Sequence, residues 1–328
     1  MSNSPPTVML IATLLVLIFP VALSFWIISL LASERNNGLP SPLRWLFSFL
    51  VPLLVVIQAY LRKHLDWTGV IIAFIIGFIL TLANYCFIFS MLTFFFTSYK
   101  VTKYKNHLKR ELETDSAELR RRNWLQVICN GGVATQFAIL FMLERGIADE
   151  NPINFKYDYY SSWFAMGVLG SIACNNGDTW GSEMSLALTR GNPRLITSLR
   201  KVPRGTNGGV TVIGLIFSAL GGLAIGLAYY LTLLLCVNRD VLAISPPQWP
   251  ILMVGGCAGL IGSIVDSMLG ALLQYSGFDR RTGKIVEVPG ENVEWVSGIR
   301  FLDNHSVNLF SSLIMALLTP RISLSFWS

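Results

Sequence analysis

Apolar runs of about 20 residues, the length that spans a bilayer, recur along the whole chain with short polar stretches between them. Eight runs define spans at 9–31, 43–60, 68–96, 127–143, 161–178, 210–237, 249–275 and 304–320. The third is long enough to tilt strongly or to break near Ala83-Asn84-Tyr85, and the fifth is the least apolar, so the count is bounded at seven to nine. The first run lacks a basic flank ahead of it and a small-residue cleavage site, which reads as a retained helix and not a signal peptide. The pattern predicts an all-α, polytopic helical membrane protein with one domain over 1–328. A charged loop at 97–126 and motif-bearing loops at 179–209 and 276–303 interrupt it.

Composition sharpens this picture. Charged residues make up 13% of the chain and hydrophobic ones 53%, against about 25% charged in a soluble domain, which excludes a surface that mostly faces water. The five cysteines are scattered through apolar stretches, a distribution that suits neither a disulfide framework nor a metal cluster. Lys and Arg fall unevenly on alternate loops. One set carries 19, including eight between Lys100 and Arg122, and the other, to which Arg62 and Lys63 are assigned, carries 6. The positive-inside rule places the first set in the cytosol and both termini in the lumen. The basic stretches lack the aromatic interleaving and fold signals of a nucleic-acid binder. Nothing indicates an oligomer, and the endoplasmic reticulum is the default membrane.

Four polar clusters carry candidate chemistry, all at the expected cytosolic ends of spans five to eight. Asn175-Asn176-Gly177-Asp178-Thr179-Trp180-Gly181-Ser182-Glu183 closes the fifth span. Polar and ionisable residues at membrane depth are costly and face a cavity or the bundle interior. Asp178 and Ser182 lie four apart and share a helical face, where the carboxylate suits a divalent cation, with a plain helix cap as the alternative. Second comes the loop from Lys201 through Arg204, Gly205, Thr206, Asn207, Gly208 and Gly209 into the sixth span. Glycine lets backbone approach a phosphate and a helix N-terminus offers free N–H groups; an interfacial turn is the alternative. Third, Asp266 interrupts a stripe of Gly255, Gly259, Gly262 and Gly270. The stripe reads as helix packing, whereas a carboxylate there costs about 2.5–3.5 kcal/mol on insertion scales and is not explained by packing. Fourth, Asp303 caps the eighth span, and Asn304 and Asn308 face one way behind it, all three candidate cofactor-binding residues. His305 reads as an interfacial residue, and the Asn304-His305-Ser306 sequon is silent on the cytosolic side. Carboxylates, a phosphate-binding backbone and basic groups on one face are the equipment of metal-assisted phosphoryl or nucleotidyl transfer.

Gly177-Asp178-Thr179-Trp180-Gly181-Ser182-Glu183, Pro193 to Thr197, Val202-Pro203, Gly205 to Thr211, Asp266-Ser267 and Leu302-Asp303-Asn304 through Asn308 closely resemble the transmembrane protein 19 family. That family resembles a branch of a wider membrane family that includes plant phytyl-phosphate kinase. The layout of Gly177-Asp178, Ser182 and the basic and glycine-bearing loop is more distantly similar to polyprenol kinases and phosphatidate cytidylyltransferases, which use CTP and a divalent metal. The resemblance implies that Asp178 and Asp266 hold Mg²⁺ and that Lys201, Arg204 and Gly205–Gly209 bind nucleotide phosphates. It departs at Gly181, where many relatives carry alanine, and at His305, where relatives tend to have Asn or Asp. The expected activity is phosphoryl transfer from a nucleoside triphosphate, CTP favoured, to an isoprenoid or other lipid phosphate. Its expected catalytic residues are Asp178, Ser182, Glu183 and Asp266. The competing expectation is a transporter or lipid flippase whose path runs through Asp178 and Asp266.

Overall fold

The structure, a computed structural model, describes residues 41–104, 122–147 and 150–327, together with Ser24. The predicted first span and most of the charged loop lie outside the described residues. Nine helices occur among the described residues: α1 (Pro42–Leu61), α2 (Trp67–Ala83), α3 (Tyr85–Lys103), α4 (Trp124–Arg145), α5 (Tyr159–Leu188), α6 (Val212–Cys236), α7 (Arg239–Ile244), α8 (Pro250–Leu273) and α9 (Asn304–Trp327). By length and composition α1, α4, α6, α8 and α9 can cross a membrane, and α2 is a shorter apolar helix. The loops after α5 and α8 hold structure that apolar periodicity did not register. α5 runs ten residues past Asp178, β1 (Arg194–Leu195) pairs antiparallel with β2 (Gly209–Val210), and β3 (Ser276–Asp279) is flanked by β4 (Lys284–Val286) and β5 (Val293–Ser297).

The long third run breaks at one residue. Asn84, with φ −162° and ψ 134°, ends α2 by donating its N–H to the Leu80 carbonyl and starts α3 by accepting from the Cys86 N–H at 2.7 Å. An extended residue between two helices reverses the chain. His64, ahead of α2, accordingly packs against Tyr99 near the end of α3, ring centroids 3.8 Å apart and tilted by 35°. At 1.5 Å per residue the two helices, 17 and 19 residues long, extend about 26 and 28 Å, each near the thickness of a hydrocarbon core. The one expected run is therefore two helices joined by a reversal. This corrects the assignment of the loop holding Arg62 and Lys63, which lies at the basic end, where the Arg122 backbone pairs with His64 and Asp66. Arg44 moves to the far end in exchange. Only Arg44, Arg145, Lys156, Arg239 and Arg321 stand there among the described Lys and Arg, so the charge asymmetry survives the correction.

α5 is the centre of the bundle, touching α3, α4, α6, α8 and α9. Every residue from 165 to 177 is buried, which explains its weak apolarity: other helices cover it on all sides. The core gathers Phe87, Phe141, Leu169, Ile172, Tyr229 and Met315 around it. Outward, α6 exposes Ile216, Leu220, Leu223, Leu227, Leu231 and Leu234 at three- and four-residue intervals, one stripe suited to acyl chains. The small-residue stripe does what it was expected to do. A Cβ on Gly177 would lie 2.6 Å from the Gly259 Cα, and one on Gly222 would lie 2.2 Å from the Gly255 carbonyl oxygen, so α5, α6 and α8 touch backbone to backbone.

Candidate functional site

The two asparagines ahead of Asp178 tie helices together. Asn176, fully buried, accepts from Thr97 at 3.1 Å and Ser98 at 3.0 Å on α3 and donates to the Gly221 carbonyl of α6 at 2.7 Å. Asn175 donates to the Asn130 carbonyl of α4 at 2.8 Å, and Asn308 of α9 donates to the Asn130 side chain at 3.2 Å. A buried amide network of this kind is stable only when its members are satisfied, and it fixes the α5 turn that carries Asp178. The Gly177–Gly259 contact then sets α8 directly alongside. Ser263 of α8 donates to Asp178 at 3.3 Å, and one turn on, Asp266 accepts from Ser311 of α9 at 3.0 Å. The two carboxylates are close enough to act on each other electrostatically.

They line a cleft of about 1180 Å³ at the basic end of the bundle. Ser182 and Glu183 extend its α5 wall, and Asn304 and Asn308 add α9. Gly205 to Gly209 form the opposite lip. Gly208 has φ +77° and packs so tightly on α8 that a Cβ would meet Ala271 at 2.4 Å, so no other residue fits there. Within that loop Asn207 N–H donates to Ser276 at 3.1 Å and Gly209 N–H to Thr206 at 3.0 Å. The N–H groups of Gly205 and Gly208 have no acceptor among the described residues. Arg204 lines the cleft and donates to the Leu186 carbonyl at 2.5 Å, placing its cation at the C-terminal end of α5, which favours positive charge.

Two expected ligands stand elsewhere. Lys201 is exposed, paired by a backbone bridge to Arg194, and does not line the cleft. Asp303 is exposed as the N-cap of α9, where the Ser306 N–H at 2.8 Å and the Ser306 hydroxyl hold its carboxyl below the usual range. It too is outside the cleft. Conversely, periodicity and motifs did not mark Lys63, His64, Lys103, Arg122 and Glu287, which line it from distant segments. His64 is pushed below its ordinary pKa by burial and then by Arg62, Arg122 and Lys103. Arg122 sits in the field of Glu183. The β3–β5 sheet forms a wall through Ile285, Val286 and Val288 and is fastened by Arg200, which donates to the Val296 carbonyl.

No three His, Cys, Asp or Glu side chains converge among the described residues. The donor set therefore does not suit a metal caged by protein alone. It does suit Mg²⁺, which keeps several waters and is held by one or two carboxylates together with substrate phosphates.

The fold and cleft define a multi-pass helical membrane protein with a polar site at one end. A family model described as integral membrane protein DUF92 matches residues 50–316, and the chain belongs to that family. It is 36% identical over 282 residues to Protein PGR of Arabidopsis thaliana, covering 85% of this chain and 96% of the plant protein. It is also 28% identical over 236 residues to an uncharacterized membrane protein of Methanocaldococcus jannaschii, covering 72% of this chain and 85% of that one. No solved structure matches.

Proposed function

We propose that the protein transfers a phosphoryl group from a nucleoside triphosphate to an isoprenoid phosphate or similar lipid phosphate at the membrane surface, its basic end toward the cytosol. One observation carries this reading: Asp178 and Asp266 stand together in a cleft whose other walls are Lys63, Lys103, Arg122, Arg204 and the Gly205–Gly209 loop. Phosphoryl transfer needs little covalent chemistry from a protein beyond positioning and charge neutralisation, and those groups supply both.

In this reading Asp178 and Asp266 would hold Mg²⁺, which when bound neutralises phosphate charge. Ser263 and Ser311 keep the two carboxylates oriented. The unengaged N–H groups of Gly205 and Gly208 and the Arg204 guanidinium bind donor phosphates. Arg122, Lys63 and Lys103 bind the acceptor phosphate from the α3–α4 side. The preference for CTP rests on the resemblance to polyprenol kinases and phosphatidate cytidylyltransferases.

The test is Mg²⁺-dependent thermal stabilisation of purified protein by CTP, ATP, GTP and UTP, with Asp178→Asn alongside. Selective stabilisation that the variant loses supports the reading. Stabilisation by none of the four, together with Asp266-dependent flux in liposomes, replaces it with the transporter.

A further inference from the structure

A second cavity abuts the polar cleft and nothing above uses it. It is a narrow slot of about 90 Å³ between α1, α2, α3 and α4, walled by apolar side chains such as Val56, Ile76, Ile88, Met91 and Val127. Its polar residues, Arg122, Gln126 and Asn130, all stand on the side where it meets the cleft, and with Phe94 and Phe95 they line both cavities. The slot is thus apolar along its length and basic at its inner mouth.

We infer that this slot takes the hydrocarbon chain of the lipid phosphate, with the phosphate at Arg122 and the chain running away from the cleft between α2, α3 and α4. The inference rests on the phosphotransferase reading. Three features point to a lipid anion over other occupants. The slot borders the cleft along Phe94, Phe95, Arg122, Gln126 and Asn130, which puts one molecule within reach of both. The junction is cationic, with Arg122 at the mouth and Lys63 and Lys103 beside it in the cleft, which complements an anionic head. The small volume suits a single chain.

The depth is also informative. Along α3 the lining runs from Ile88 to Phe95, seven residue steps, or about 10 Å at the helical rise. That holds a short run of prenyl units, and the remainder of a long chain lies in the bilayer. Affinity should therefore rise with chain length and then level off.

The experiment measures binding of dimethylallyl, geranyl, farnesyl and phytyl monophosphates to the full chain in nanodiscs, beside nucleotide stabilisation of the same preparations. Ala73→Trp and Val127→Trp each place an indole in the slot at positions that do not line the cleft. The expected result is a rise in wild-type affinity from dimethylallyl to farnesyl phosphate and a plateau to phytyl phosphate. Both variants should lose the gain, at least tenfold for farnesyl phosphate, while binding dimethylallyl phosphate and nucleotide as wild type does. Arg122→Gln should weaken all four phosphates and erase preference for farnesyl phosphate over farnesol. Equal farnesyl phosphate binding by wild type and both folded variants overturns the slot assignment and leaves the phosphotransferase reading standing. A lower melting temperature with lipid binding unchanged assigns the slot to an apolar segment of the chain itself and likewise overturns it. Absence of nucleotide stabilisation in wild type marks failure of the underlying reading instead.

Discussion

The two ends of the bundle both carry charges, and they use them in opposite ways. At the far end the charges face each other. Arg44, almost wholly buried, donates to Glu150 at 2.5 Å and to the Leu82 carbonyl at 3.4 Å, and lies 3.6 Å over the Tyr85 ring. Glu150 also accepts the Tyr85 N–H at 3.0 Å, so one ion pair grips both sides of the Asn84 break. Arg145 pairs with Asp158 at 2.6 Å, and Gln248 joins both backbone groups of Ile153. At the basic end Asp178, Asp266, Lys63, Lys103 and Arg122 face a cleft. Polar side chains satisfied by one another hold a fold; in the proposed reading, those that line the cleft bind phosphate and Mg²⁺ instead.

The contrast makes testable demands. Glu150→Leu strands a buried guanidinium, and breaking a buried pair costs about 3–5 kcal/mol; the melting temperature in detergent should fall steeply. Asp178→Asn or Asp266→Asn should leave melting unchanged or raise it, because each replaces one of two neighbouring half-buried carboxyls with a neutral amide. Mg²⁺-dependent nucleotide affinity should fall at least tenfold, about 1.4 kcal/mol. A drop in stability without loss of binding would place those carboxylates with the far-end residues. Asp303→Ala removes a helix N-cap worth about 1 kcal/mol and should lower the melting temperature modestly while leaving nucleotide affinity intact.

His64 gives the smallest effect. Its folded pKa lies below its unfolded value of 6.5, so its contribution to stability is present above about pH 6.5 and is lost as pH falls through the folded pKa. Melting temperatures followed from pH 7.5 downward should show a component that His64→Gln removes. Protonation also adds positive charge to the cleft, so anion affinity should rise as stability falls.

Much of this was legible in the chain because burial in lipid leaves an apolar run, and seven of the eight expected spans fall on described helices. The Asn84 break was visible as a site of interruption, but whether the chain tilts or reverses there depends on Arg44 and Glu150, 106 residues apart. The strands after α8 carry alternating short polar and apolar residues that hydropathy does not distinguish from a loop. Asp178 and Asp266 stood out because a carboxylate at membrane depth has no cheap explanation. Lys201 and Asp303 were drawn in by proximity along the chain to real cleft residues. Arg122 and His64 were missed because a basic residue in a basic loop has no local signature, and only the packing of α2 against α3 and α4 brings them to the cleft.

The enclosure of α5 bears on how the protein is assembled. A segment bearing Asn175, Asn176 and Asp178 gains little by partitioning alone into lipid, where each polar side chain carries a penalty. Its partners for those groups come from α3 and α4, already synthesised, and from α6 and α8, which are made later. The central helix therefore has its full set of polar partners only once α6 and α8 have emerged. Folding of the site and completion of membrane insertion should then be coupled.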